Sequence, residues 1–206
     1  MLKYFRNKQD KQMVNNFLSL EGRERMLEKL TTLQNEISVS YNNKVIVITS
    51  LEYDELAAAF AKAFADAFVK NGSSALLVDA NLYEPHLGKL LSVPTQKLGK
   101  EETKLEVNKL SDKLGVVCLD KVTYPAEAYK SGLLEELIEA NKETYEHVVI
   151  LMPSVKKHKE VSLLSKVLDS VLLLCRRDVS TKGDIFYALQ YLAGEHLPVS
   201  KTVILK

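Results

Sequence analysis

Six short apolar runs separated by helical stretches predict a doubly wound α/β domain, with a mostly parallel sheet flanked by helices. Three observations lead there. The runs are continuously hydrophobic rather than alternating, as strands buried on both faces require. Helix-period segments fill most of the intervals between them, and Asn71-Gly72 and Gly194 stand where helices should stop.

The expected strands are Val45–Thr49, Ala75–Val78, Gly115–Leu119, His147–Leu151, Ser170–Cys175 and Lys201–Leu205. The first helix, Asp54–Lys70, is alanine-rich, with Phe60, Phe64 and Phe68 at i, i+4 and i+8 on a core face and Lys62 paired to Asp66 on another. Further helices are expected over Ala126–Lys142, Lys159–Leu168 and Lys182–Ala193. Pro94–Asp112, rich in Lys, Glu and Thr, reads as an exposed loop or frayed helix. Residues 1–42 form an N-terminal helical segment in which Asn15–Ser38 carries a broken stripe of Phe17, Leu20, Met26, Leu27, Leu30, Leu33 and Ile37; residues 43–206 form the α/β domain.

Composition narrows the function classes. The 206 residues are 46% hydrophobic and 27% charged, ordinary for a globular chain. A net charge of +1 supplies no field to recruit nucleic acid or an anionic membrane. No apolar run approaches the roughly 20 residues of a membrane helix, and the N-terminus lacks the apolar core of a secretory signal. Cys118 and Cys175 sit singly in apolar runs, as reduced thiols of a cytoplasmic protein do.

In an open parallel sheet the turn after the first strand usually holds phosphate. That turn is Thr49-Ser-Leu-Glu-Tyr-Asp-Glu-Leu-Ala-Ala-Ala59. A phosphate cradle needs glycines so that backbone N–H groups converge, a lysine for the β- and γ-phosphates and a hydroxyl for magnesium. None stands where it is needed.

These residues nevertheless resemble the bacterial tyrosine kinases of capsule and exopolysaccharide export, within the MinD/ParA group of P-loop ATPases. Lys44-Val-Ile-Val-Ile-Thr-Ser50 is similar to the opening of that family's T-S-x-x-P-G-E-G-K-S-T segment. Aligned without gaps, Tyr53 takes the place of the proline, Asp54 and Leu56 those of the glycines, Ala57 that of the lysine, and Ala58 and Ala59 those of the hydroxyl residues; only Glu55 matches. Leu76-Leu-Val-Asp-Ala-Asn-Leu-Tyr-Glu-Pro85 is similar to L-L-I-D-A-D-L-R-x-P, with Asn81 for the second aspartate and Tyr83 for the arginine. Tyr145–Ser154 is similar to Y-D-Y-V-I-I-D-T-P-P, with Leu151 in place of the magnesium-associated aspartate. Pro125–Leu137 and Val171–Arg177 extend the resemblance over Lys44–Lys206.

The resemblance implies a P-loop NTPase-like domain of MinD/ParA type, and the substitutions imply a pseudokinase without cofactor or metal. A phosphate in the first turn would face Glu52, Asp54 and Glu55 with no lysine. At an effective dielectric of about 20, one like-charge contact near 4 Å costs about 4 kcal/mol. By resemblance, the role is a protein-binding regulator or scaffold of polysaccharide export or envelope assembly. It would reach the inner face of the membrane only through a partner: a membrane adaptor's tail or an active kinase paralogue. The partner surface is expected at Glu52, Tyr53, Asp54, Glu55, Asp79, Asn81 and Tyr83, crowded together at the carboxyl edge of the sheet. The alternative is an atypical nucleotide-binding ATPase or switch of the MinD/ParA kind that positions a secretion or division complex.

Two departures bear on assembly. The family's tyrosine-rich tail is not expected after Val203-Ile-Leu-Lys206. Its E-x-x-R-x-x-R oligomer signature is out of register, because Glu21 is followed by Glu24 and Leu27; self-association remains open. Asp79 at a strand end reads as a relic, a cap for the following turn or a functional carboxylate, the structural role being favoured. His86, His147, His158 and His196 lack metal-ligand spacing, Arg176-Arg177 reads as a solvated pair, and no serine stands in a G-x-S-x-G turn.

Overall fold

The computed structural model describes residues 28–37, 44–52, 55–99, 104–177 and 179–205. Expectations that fall on residues 1–27 and 38–43, and on Tyr53 and Asp54, lie outside the described residues. Residues 28–37 are helical (α1). There follow β1 (Val45–Ser50), α2 (Glu55–Lys70), β2 (Ala75–Asp79), α3 (Leu87–Leu91), β3 (Thr95–Gln96), β4 (Asn108–Ser111) and β5 (Leu114–Leu119). The remainder comprises α4 (Pro125–Tyr129), α5 (Leu133–Asn141), β6 (His147–Leu151), a 3₁₀ turn (Glu160–Leu164), β7 (Ser170–Arg176), α6 (Lys182–Gly194) and β8 (Val199–Leu205).

The sheet has the order β3-β5-β2-β6-β1-β7-β8, with β4 also on β5. Every pairing is parallel except β4–β5. β1 lies between β6 and β7, so the chain leaves it on one side for β2 and later returns on the other; this is the switch point at whose carboxyl edge such sheets bind ligands.

Both faces are covered, which is why the strands read as unbroken apolar runs. On one face α2 buries Phe60, Phe64 and Phe68, with the Phe64 and Phe68 rings edge-to-face at 5.1 Å. Leu30 and Ile37 of α1 enter the same apolar cluster, and Gln34 Nε2 donates to the Phe64 carbonyl at 2.7 Å. On the other face Tyr129, Leu134, Val161, Leu164, Ala188 and Leu192 pack with β1, β2, β5, β6 and β7. Gly72, at φ +95°, closes α2 as expected: Ser73 N donates to Phe68 O and Gly72 N to Val69 O.

Four local expectations are corrected. Ala126–Lys142 is not one helix but two, broken at Gly132 with φ +83°. Lys159–Leu168 contains only the five-residue 3₁₀ turn. Gly194 ends α6 as a helical residue, and the left-handed position falls on His196, φ +55°; Leu197 N bonds Leu192 O and is drawn there by burial of the Leu197 side chain. Within Pro94–Asp112 lie β3 and β4, because the outer edge of β5 offers unpaired backbone groups that both segments satisfy. Gln96 links them by donating to Glu106 O and accepting from Glu106 N, both at 2.7 Å.

Candidate functional site

The carboxyl edge is stitched together by buried hydroxyls. Thr49 Oγ1 donates to Pro153 O at 2.7 Å and accepts from Val155 N at 3.1 Å. Ser154 Oγ donates to Leu51 O at 2.6 Å. These bonds lock the turn after β1 to the turn after β6 and satisfy polar groups that burial would otherwise leave costly.

Where the first turn opens, Ser180 Oγ donates to Glu52 Oε2 at 2.6 Å and accepts from Arg176 N at 2.8 Å. The Glu52 carboxylate is thereby held against the loop between β7 and α6. Next to it Lys156 pairs with Asp184 at 2.7 Å, and Asp184 closes a reciprocal capping box with Thr181 at the start of α6. Ala57, Ala58 and Ala59 are buried in α2. Leu151 sits beside both Ile48 and Asp79 in the sheet register and is fully buried among apolar side chains. Glu55 lies 3.9 Å from His86 Nδ1; burial holds the imidazole's pKa below its usual value, so this is a contact with neutral histidine at neutral pH rather than an ion pair.

Asp79 ends β2 wholly buried. Its Oδ1 accepts from Asn81 N, and its Oδ2 from His86 N and Leu87 N at 2.9 and 2.8 Å. Burial outweighs these three donors and pushes its pKa up to about 6. The capping role expected for Asp79 is therefore present, directed at the start of α3. Asn81 is also fully buried; its Oδ1 accepts from Tyr83 N and Glu84 N, a side-chain-closed turn. Tyr83 stacks on His158 with ring centroids 3.6 Å apart and donates its hydroxyl to Glu160. Burial, then the Glu160 charge, push the phenol up to about 12.

Among the described residues of the expected crowd, Asp79 joins Asn81 N to His86 N, and the others each have a nearby partner. Glu52 belongs with Ser180, Glu55 with His86, and Asn81 and Tyr83 with His158. Asp79 and Asn81 are fully buried, and their side chains accept from backbone N–H groups of residues 81–87.

A cleft of about 680 Å³ opens between the loops following β2, β5 and β6. Asn81, Tyr83 and His158 line it, with Lys121 and Lys157 also in its wall; among the described residues of the turn after β1, none does. Lys121, Lys157 and His158 carry no shared residue pattern in the sequence. They belong to no motif or helical spacing, and the only signal for them is that each follows a strand's carboxyl end.

The thiols of Cys118 and Cys175 are buried, which pushes their pKa values up to about 12 and about 11. Arg176 is half-buried and Arg177 exposed. Among the described residues no three His, Cys, Asp or Glu side chains are grouped to hold a metal, and no helix is long and apolar enough to cross a membrane.

The architecture, a mostly parallel sheet flanked by helices, is a fold shared with bacterial tyrosine kinase domains and the MinD/ParA ATPases. In particular, the chain is similar to the kinase domain of the Escherichia coli tyrosine kinase ETK, at TM-score 0.78 and 16% identity over 86% of this chain and 74% of that one. It is similar to the VpsO kinase domain at TM-score 0.75 and 15% identity, covering 91% and 99% of the two chains. MinD of Pyrococcus horikoshii, solved with Mg-ADP, aligns at TM-score 0.62 and 17% identity over 78% of this chain and 69% of that one. No protein-family profile matches the sequence, and no curated protein matches it.

Proposed function

We propose that this chain is a non-catalytic relative of the bacterial tyrosine kinase domains, acting through protein contacts in polysaccharide export or another envelope assembly. What carries the proposal is Glu52: a carboxylate bound to Ser180 stands at the mouth of the turn where a kinase needs to attract polyphosphate. Ala57 adds no cation there, and Leu151 places an apolar side chain beside Asp79 where a magnesium ligand is required. Phosphoryl transfer depends almost wholly on positioning and charge neutralisation, so losing lysine and metal ligand together removes its basis.

The partner surface lies around the half-buried Glu52, Glu55 and Tyr83, with Tyr124, 69% exposed, on the neighbouring loop. An aromatic and acidic rim of this kind suits a protein better than a nucleotide. Partners of the right class are a membrane adaptor's cytoplasmic tail or an active kinase paralogue. Titrating the full chain with Mg-ATP by calorimetry tests the loss of nucleotide binding. No heat of binding is expected up to millimolar nucleotide; a micromolar dissociation constant overturns the proposal in favour of an atypical MinD/ParA-like switch.

A further inference from the structure

We infer that the cleft between the loops after β2, β5 and β6 binds a small organic anion, a carboxylate or phosphate group carried on a flat or apolar body. The described residues of the turn after β1 do not line this cleft.

It starts from Asn81. The Oδ1 of this side chain accepts from two backbone N–H groups, Tyr83 and Glu84, at 3.1 and 3.2 Å, which fixes the orientation of the amide. Flipping it would set an NH₂ group against both donors. The remaining atom, Nδ2, is therefore a donor by necessity. It has no acceptor, although the side chain is fully buried. Buried donors are nearly always paired, and because Asn81 is among the residues that line the cleft, its unpaired donor favours a ligand oxygen there.

The rest of the lining agrees. Lys121 and Lys157 are exposed in the cleft wall, and neither forms an ion pair among the described residues. Among the described lining residues Glu84 is the one carboxylate, beside two lysines; Glu160, which accepts the Tyr83 hydroxyl, is not among them. The stacked Tyr83 and His158 rings supply a flat platform, and Pro125 and Pro153 supply apolar wall. Burial also favours the neutral form of the His158 imidazole. Donors outnumber acceptors, and they stand beside apolar surface; the complementary ligand is acceptor-rich at one end and flat at the other.

The test is titration of the full chain with benzoate, phenyl phosphate, inorganic phosphate and uncharged benzamide, followed by amide NMR. Benzoate or phenyl phosphate is expected to shift the Asn81 side-chain NH₂ resonances with saturation, and the stronger of the two identifies the head group. Benzamide and inorganic phosphate are expected to bind at least ten-fold more weakly, since each lacks one half of the recognised chemistry. The double variant Lys121→Ala, Lys157→Ala changes only exposed side chains and is expected to weaken binding at least ten-fold. Asn81→Asp keeps both accepted hydrogen bonds while replacing the donor, and is expected to abolish binding. Equal affinity for benzamide, no effect of the lysine substitutions, or no saturable shift at Asn81 overturns the inference.

Discussion

Ser180 Oγ donates to Glu52 Oε2 at 2.6 Å, joining the turn after β1 to the loop before α6 across 128 positions of sequence. The bond sets a fixed negative group at the edge of the sheet where related folds cradle phosphate. Ser180→Ala removes the donor from a partly exposed pair, so a modest loss of about 1 kcal/mol is expected, read as a lower urea midpoint with an unchanged slope. Nucleotide affinity should not rise in the variant, because the substitution frees a carboxylate and adds no cation; a gain in Mg-ATP binding would contradict the role given to Glu52.

Asp79 makes stability depend on pH in the direction opposite to most carboxylates. Its folded pKa of about 6 exceeds the ordinary 3.8, so the native state holds this proton more tightly than the unfolded chain. The contribution is full below about pH 4 and is lost as pH rises through about 6. Two pK units correspond to about 3 kcal/mol. The stability difference between the native chain and Asp79→Asn should therefore drift by up to that amount between pH 4 and 7, in favour of the variant as pH rises. Denaturation at several pH values checks this, and a constant difference would contradict it.

Gly115 of β5 lies against the hydroxyl end of Tyr145. A Cβ added there would meet the phenol oxygen well inside van der Waals contact and Val107 Cγ1 at 2.7 Å. Gly115→Ala should cost about 1–3 kcal/mol through overpacking. Removing the hydroxyl with Tyr145→Phe should recover part of that loss. A double-mutant cycle in chemical denaturation measures the coupling.

Phe64 is the keystone of the α2 face, fully buried and touching both Phe60 and Phe68. Phe64→Ala should cost about 3–5 kcal/mol. At the start of α6, Thr181→Ala should cost about 1 kcal/mol by opening the capping box with Asp184. Thermal or urea unfolding distinguishes a loss of this size from that at Phe64.

The strands and the phenylalanine face of α2 were legible because continuous apolar runs and an i, i+4, i+8 spacing have few other uses. The short edge strands were not. β3 and β4 are polar and exposed at many positions, and they are strands only because β5 has an open edge for them. The break at Gly132 and the late closure at His196 escaped for a related reason: each depends on where neighbouring leucines are buried, not on local propensity.

The site divides along the same line. That the first turn leads into Ala57 and that β6 ends on Leu151 is a matter of residue identity, plain in the sequence. Which groups meet is not. Glu52 finds Ser180, Asp79 reaches forward to His86 and Leu87, and Asn81 comes to lie with Tyr83, Lys121, Lys157 and His158 around one cleft. Pattern and composition by themselves determined the layered sheet and the residue types of its first turn, because hydrophobic period and side-chain type are local properties. Tertiary structure alone decided the partners of each polar group, because a parallel sheet gathers at one edge loops that lie far apart along the chain.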